Sequence, residues 1–113
     1  MKKFLIVTLF AVLPILSFAK APYCVSWPMN MSEVWLKNAG VVDIKNLDES
    51  KTKITLLASE KKAKGLYTQI YHFIFYDAIG NSYETITNND ASYEECSETG
   101  VDVYLISRSV SNK

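Results

Sequence analysis

The stretch Leu66–Asp77 reads Leu-Tyr-Thr-Gln-Ile-Tyr-His-Phe-Ile-Phe-Tyr-Asp. Its reading decides the fold class. In an extended chain Tyr67, Gln69, Tyr71, Phe73 and Phe75 share one side, and Leu66, Thr68, Ile70, His72, Ile74 and Tyr76 share the other. β-Branched and aromatic residues dominate, as they do in strands. From Ile70 to Tyr76 both sides are largely apolar or aromatic, His72 being the exception. Such a strand is central and covered on both faces, or covered on one face with an aromatic surface on the other.

Downstream, Asp77-Ala78-Ile79-Gly80-Asn81 supplies turn residues, and Ser82–Thr87 alternates as a returning strand. Together they predict a hairpin with a loop of about four or five residues. Asn88-Asn89-Asp90 predicts a further turn. Ala91–Glu95 is a short strand or loop leading to Cys96. Thr99-Gly100 opens a last strand over 101–107, with Val101, Val103 and Leu105 on one side.

Upstream, Glu60–Gly65 is a polar, lysine-rich connector. Thr52–Ser59 fits two periods. Ile54 and Leu56 alternate with Lys53 and Thr55 as in a strand, whereas Ile54, Leu57, Ala58 and Lys61 fit a helix face. The run Thr52, Ile54, Thr55 favours the strand. Asn46–Ser50 is rich in turn residues, and Gly40–Leu47 reads as a strand. Met31–Gly40 holds one or two helical turns capped by Ser32, or a bulged edge strand. Pro22 and Pro28 predict an irregular segment over 21–31.

Five to seven short strands follow from this reading. The expected fold is all-β, a small antiparallel sandwich that is immunoglobulin-like in a loose sense. The alternative is α+β, with one helix at about 48–63 on a four-stranded sheet.

The N-terminus reads as an export signal. Lys2 and Lys3 precede an apolar run from Phe4, and Ser17-Phe18-Ala19 ends it with small residues at the positions a signal peptidase reads. The expected cut falls after residue 19 or 21, leaving a single small domain over 20–113. The apolar run is shorter than the roughly 20 residues a membrane span needs. No stable membrane anchor is therefore expected after cleavage. The short basic start is of the bacterial kind, which places the protein in the periplasm or secreted beyond it.

Cys24 and Cys96 are the only cysteines, and both follow the leader. An oxidising compartment and an even count predict a disulfide between them. A redox-active pair would sit closer in sequence, as C-x-x-C.

Removing Lys2 and Lys3 with the leader leaves ten basic and twelve acidic residues, a net charge of −2. That balance, with no interleaving of basic and aromatic residues, gives no reason to expect nucleic acid. The charge is nonetheless uneven. Lys45–Lys64 holds six lysines against Asp48, Glu49 and Glu60, and Asp77–Asp102 holds seven acids and no base. Such blocks form solvated surfaces, or a charged docking face or head-to-tail self-association.

Catalytic and metal-binding patterns are sparse. His72 is the single histidine, too few for a zinc site once the cysteines are paired. Asn88-Asn89-Asp90 and Asp77…Asn81…Glu84 lack the spacing of a calcium loop. Gly40, Gly65, Gly80 and Gly100 stand apart, so no phosphate-binding loop forms and no cofactor is expected. His72, between Ile70 and Ile74, reads as a hydrogen-bonded core or edge residue before it reads as a base. Glu94, Glu95 and Glu98 form an acidic loop.

Aromatic residues are the remaining signal. Trp27, Trp35, Tyr67 and Tyr71 either fill the core or mark a binding surface. The expected function is a non-enzymatic binding protein whose partner is another protein. It would be held through a strand edge, these aromatics or the Glu94–Glu98 loop. The alternative is an inhibitor of an exogenous enzyme such as a lysozyme or protease. A small hydrolase using His72 ranks third.

Overall fold

A computed structural model describes residues 21–110. The leader assigned to residues 1–19 lies outside the described residues. Helix α1 (Ser26–Asn38) comes first, followed by two 3-10 turns at Ile44–Asn46 and Glu49–Lys51. Four strands then follow, β1 (Lys53–Ala63), β2 (Leu66–Tyr76), β3 (Ser82–Ser92) and β4 (Asp102–Ser109). They form one sheet in the order β1-β2-β3-β4, each neighbour antiparallel. The architecture is a helix on one face of a single sheet, so the mixed α+β class holds rather than a two-sheet sandwich.

β2 is central, as its composition requires. Gln69, Tyr71, Phe73 and Phe75 are buried under the helix layer, while Ile70, His72, Ile74 and Tyr76 lie half-buried on the opposite, open face. Tyr71, Phe73 and Phe75 stack along the strand with centroids 5.7 Å apart. They form the core with Val25, Leu36 and Tyr83, joined at its margin by Met29, Val41, Val42, Leu47 and Leu105. The β2–β3 hairpin closes over Asp77–Asn81. Asp77 Oδ1 accepts bonds from the Ile79 and Asn81 backbone N–H groups at 3.1 and 2.9 Å. Its Oδ2 accepts from Asn81 Nδ2 at 2.9 Å. Burial raises the pKa of Asp77, but those bonds outweigh burial and hold its carboxyl below the usual range.

Several local expectations are corrected. The helix is not at 48–63; that span holds the Glu49–Lys51 turn and most of β1. Helix α1 instead begins inside the segment expected to be irregular. Pro28 sits in its first turn, where its missing N–H would have no intrahelical partner in any case. Ser32 is therefore a buried mid-helix residue, not a cap, and shares a 3.1 Å hydrogen bond with Thr85 Oγ1 of β3. Gly40 ends the helix with φ +74°. Its N–H bonds to Lys37 O and that of Val41 to Leu36 O, the paired closure that a left-handed glycine permits.

Gly40–Leu47 is consequently a connector with a 3-10 turn, not a strand; only Leu47 makes a single bridge, to Asp77. Asn88-Asn89-Asp90 is no turn but part of β3, facing Ile70, Gln69 and Thr68 of β2. Asn89 explains this. Its Nδ2 donates to Cys96 O at 3.0 Å and to Asp90 O at 3.2 Å, so its side chain serves the strand's end rather than a turn.

Cys24 and Cys96 form the disulfide across 72 positions. Beside it, Gln69 Nε2 donates to Pro22 O at 2.9 Å and to Ser59 Oγ at 3.1 Å. One side chain thus ties the N-terminal segment, β2 and β1 together.

Replacing both cysteines by alanine is expected to cost about 4 kcal/mol, from the chain entropy released by opening so long a loop. Phe73→Ala is expected to cost about 3–5 kcal/mol through the cavity left in the core. Urea unfolding of each variant checks both values.

Candidate binding surface

The helix layer stops short of one edge of the sheet. A helix is about 10 Å across with its side chains, whereas four strands spaced about 4.8 Å apart need roughly 19 Å of cover. Helix α1 lies over β3 and β4, and the Pro22–Val25 segment lies over β2. Apart from β2, no helix or strand among the described residues packs closely against β1.

Register places Ile54 opposite Phe73 and Leu56 opposite Tyr71, so both belong to the helix-side face. They are nevertheless 45% and 46% exposed, and Leu57, the extra residue of a β-bulge, is 54% exposed. All but one of the residues of β1 are exposed, and its outer edge pairs with no strand among the described residues. An unpaired strand presents a row of backbone donors and acceptors. Here that row is combined with three solvent-facing aliphatic side chains.

The charges on β1 are arranged about this apolar centre. Ile54–Ser59 carries none, Lys53 stands at one end, and Glu60, Lys61 and Lys62 stand at the other. Lys62 is committed, its Nζ 2.6 Å from Asp90 Oδ2. Thr68 Oγ1 donates to Asp90 Oδ1 at 2.8 Å, and the Lys62 and Thr68 bonds hold the Asp90 carboxyl below its usual range. Lys53 lies 5.8 Å from the Tyr76 ring centroid. Neither Lys53 nor Lys61 has a carboxylate partner among the described residues.

The residues singled out from sequence are dispersed. Tyr71 is in the core, so it offers no surface. Trp27 is half-buried, with its indole Nε1 enclosed and unpartnered, and Trp35 is 38% exposed on α1. Tyr67 makes an edge contact with Tyr93, centroids 6.1 Å apart, at the far end of the sheet. Glu94, Glu95 and Glu98 are all exposed in the loop that Cys96 anchors. Ser92 Oγ donates to Glu98 Oε2 at 2.7 Å and accepts from the Glu95 N–H at 3.0 Å, so the loop is shaped as well as pinned.

His72 is not enclosed by apolar groups. It lies on the open face with Nε2 2.9 Å from Glu84 Oε1. The pair bridges diagonally between β2 and β3, since His72 faces Ile86 and Glu84 faces Ile74. Among the described residues no group of three His, Cys, Asp or Glu side chains is arranged to hold a metal ion. No helix among them is long and apolar enough to cross a membrane.

One further acid stands out. Glu33 of α1 is 4% exposed, and its Oε2 has no hydrogen-bond partner. Burial, then a hydrogen bond shared with the Glu49 carboxyl and the charge of Glu49, push its pKa up to about 7. The chain was compared with known protein families, characterised proteins and solved structures, and matches none of them.

The Glu33 pair makes stability pH-dependent with a definite sign. In the unfolded chain Glu33 ionises near 4.5, whereas in the fold it keeps its proton to about 7. Native protein holds the extra proton between those values, so stability is full below the lower value and falls as pH rises towards the upper. Glu33→Gln removes this loss. Its melting temperature should match the parent near pH 4 and exceed it at pH 8, as measured by circular dichroism.

Proposed function

We propose that this protein is an exported, non-enzymatic binding module of the bacterial periplasm or of the medium beyond it. Its partner is another protein, engaged by strand addition at β1. The observation that carries this reading is the uncovered edge itself. Eleven residues of strand, with no strand on their outer edge among the described residues, carry half-exposed Ile54, Leu56 and Leu57, while β2 beside them is covered on its helix side. Strand addition supplies affinity through main-chain hydrogen bonds and selectivity through alternate side chains. The leader-like N-terminus and the Cys24–Cys96 bridge support export to an oxidising compartment.

A second reading, inhibition of an exogenous enzyme, draws on the loop around Cys96. A covalently anchored loop with three exposed carboxylates is a rigid acidic probe suited to a basic active-site cleft.

A photo-crosslinking residue at Leu57 tests the first reading in living cells, with the same residue at exposed Ile79 as control. One discrete adduct is expected from Leu57 and none from Ile79. The purified partner should then slow amide exchange across Lys53–Ala63. Equal labelling from both positions would overturn the reading, as would exchange protection confined to the Glu94–Glu98 loop. The latter result would favour the inhibitor.

A further inference from the structure

We infer that the segment received by β1 is an extended strand with an apolar centre and two carboxylates seven residues apart. This rests on β1 being the docking edge and adds the chemistry of what docks there.

The spacing comes from the strand already paired to β1. Lys53 faces Ile74 and Lys61 faces Tyr67, so β2 crosses the interval in seven steps where β1 takes eight. The difference is the bulge at Leu57. A regular strand on the other side of β1 meets the same geometry. Seven is odd, so the two carboxylates fall on opposite faces of the incoming strand. The lysines do likewise. Lys53 shares the open face with Ile74, whereas Lys61 shares the helix-side face with Tyr67.

Between these anchors β1 carries no charge over Ile54–Ser59, and Glu60, next to Lys61, faces Thr68 on the open side, away from the Lys61 side chain. Ile54 and Leu56 lie on the helix-side face where α1 does not reach, so apolar side chains beside them are removed from water on docking. Edge lysines and bulges ordinarily discourage strand pairing. On β1 they become a filter. A neutral or basic strand leaves Lys53 and Lys61 crowded and unpaired, and a strand with matched carboxylates neutralises both. The same rule disfavours β1 pairing with a second β1. Each strand carries three lysines and one glutamate, so two such edges repel.

Synthetic ten-residue peptides test this with the disulfide-bonded protein. One carries Glu at its second and ninth positions with valine, threonine and isoleucine between, a second carries Lys at those positions, and a third is the Glu peptide N-methylated on alternate amides. Fluorescence anisotropy at 50 mM salt is expected to show the Glu peptide binding at least tenfold tighter than the Lys peptide. The N-methylated peptide should not bind, and the difference should shrink at 500 mM salt. Lys53→Glu combined with Lys61→Glu should reverse the preference, both sites being exposed and outside the core.

Equal affinity for the Glu and Lys peptides, with N-methylation still blocking, would overturn the acidic specificity and leave edge docking standing. Binding that ignores N-methylation, or no binding by any peptide, would overturn edge docking itself.

Discussion

The width of a helix against the width of a sheet governs this protein. Packing one helix of thirteen residues on four strands leaves part of one face bare, whatever the sequence does locally. The protein places α1 over β3 and β4, uses the Pro22–Val25 segment to finish β2, and leaves β1 outside. Two inexpensive contacts make that arrangement definite. The Gln69 side chain fixes where the N-terminal segment crosses the sheet, and the Ser32–Thr85 hydroxyl pair fixes the helix above β3. Buried hydrogen bonds of this kind contribute about 1 kcal/mol each and do more to select one packing than to drive folding.

The covered interior is accordingly more polar than an aliphatic core. Ser32, Glu33, Gln69, Thr85, Thr87 and Asn89 are all buried, as Phe73 and Phe75 are. Serine against threonine lets helix and sheet meet without a bulky side chain between them. Glu33 and Glu49 show the opposite side of the same design. Two carboxyl groups brought together need a shared proton, and the contact between helix and connector weakens when that proton leaves.

Much of this was legible in the chain, for identifiable reasons. Tyr71, Phe73 and Phe75 alternate so strongly that β2 had to be a central strand. Asp77–Asn81 is a turn by composition, and the two cysteines of the chain have only each other to pair with. Helical turns were read over 31–40, but the start of the helix was hidden because its inward stripe, Val25, Pro28, Met29, Ser32, Glu33 and Leu36, has helical spacing but carries a proline, a serine and a glutamate where apolar residues are sought. Asn88–Asp90 resembled a turn because asparagine bonds to backbone in turns, and here Asn89 bonds to the backbone of a neighbouring loop instead. The sandwich expectation failed on counting. A strand misread at 40–47 and a helix read only as one or two turns at 31–40 together implied a second sheet. The candidate edge was half visible. Lysine excess over 45–64 marked a charged face, but which aliphatic residues the helix would leave uncovered depends on its placement, which no local pattern reveals.

The bridge between Cys24 and Cys96 also sets an order of events. The Cys24 thiol has no partner until Cys96, 72 positions further along the chain, has been made. Until then the segment that finishes the roof over β2 lacks its covalent tether. Closure of the bond then locks the segment ahead of α1 against the loop that precedes β4, so that one covalent ring encloses the helix and the first three strands.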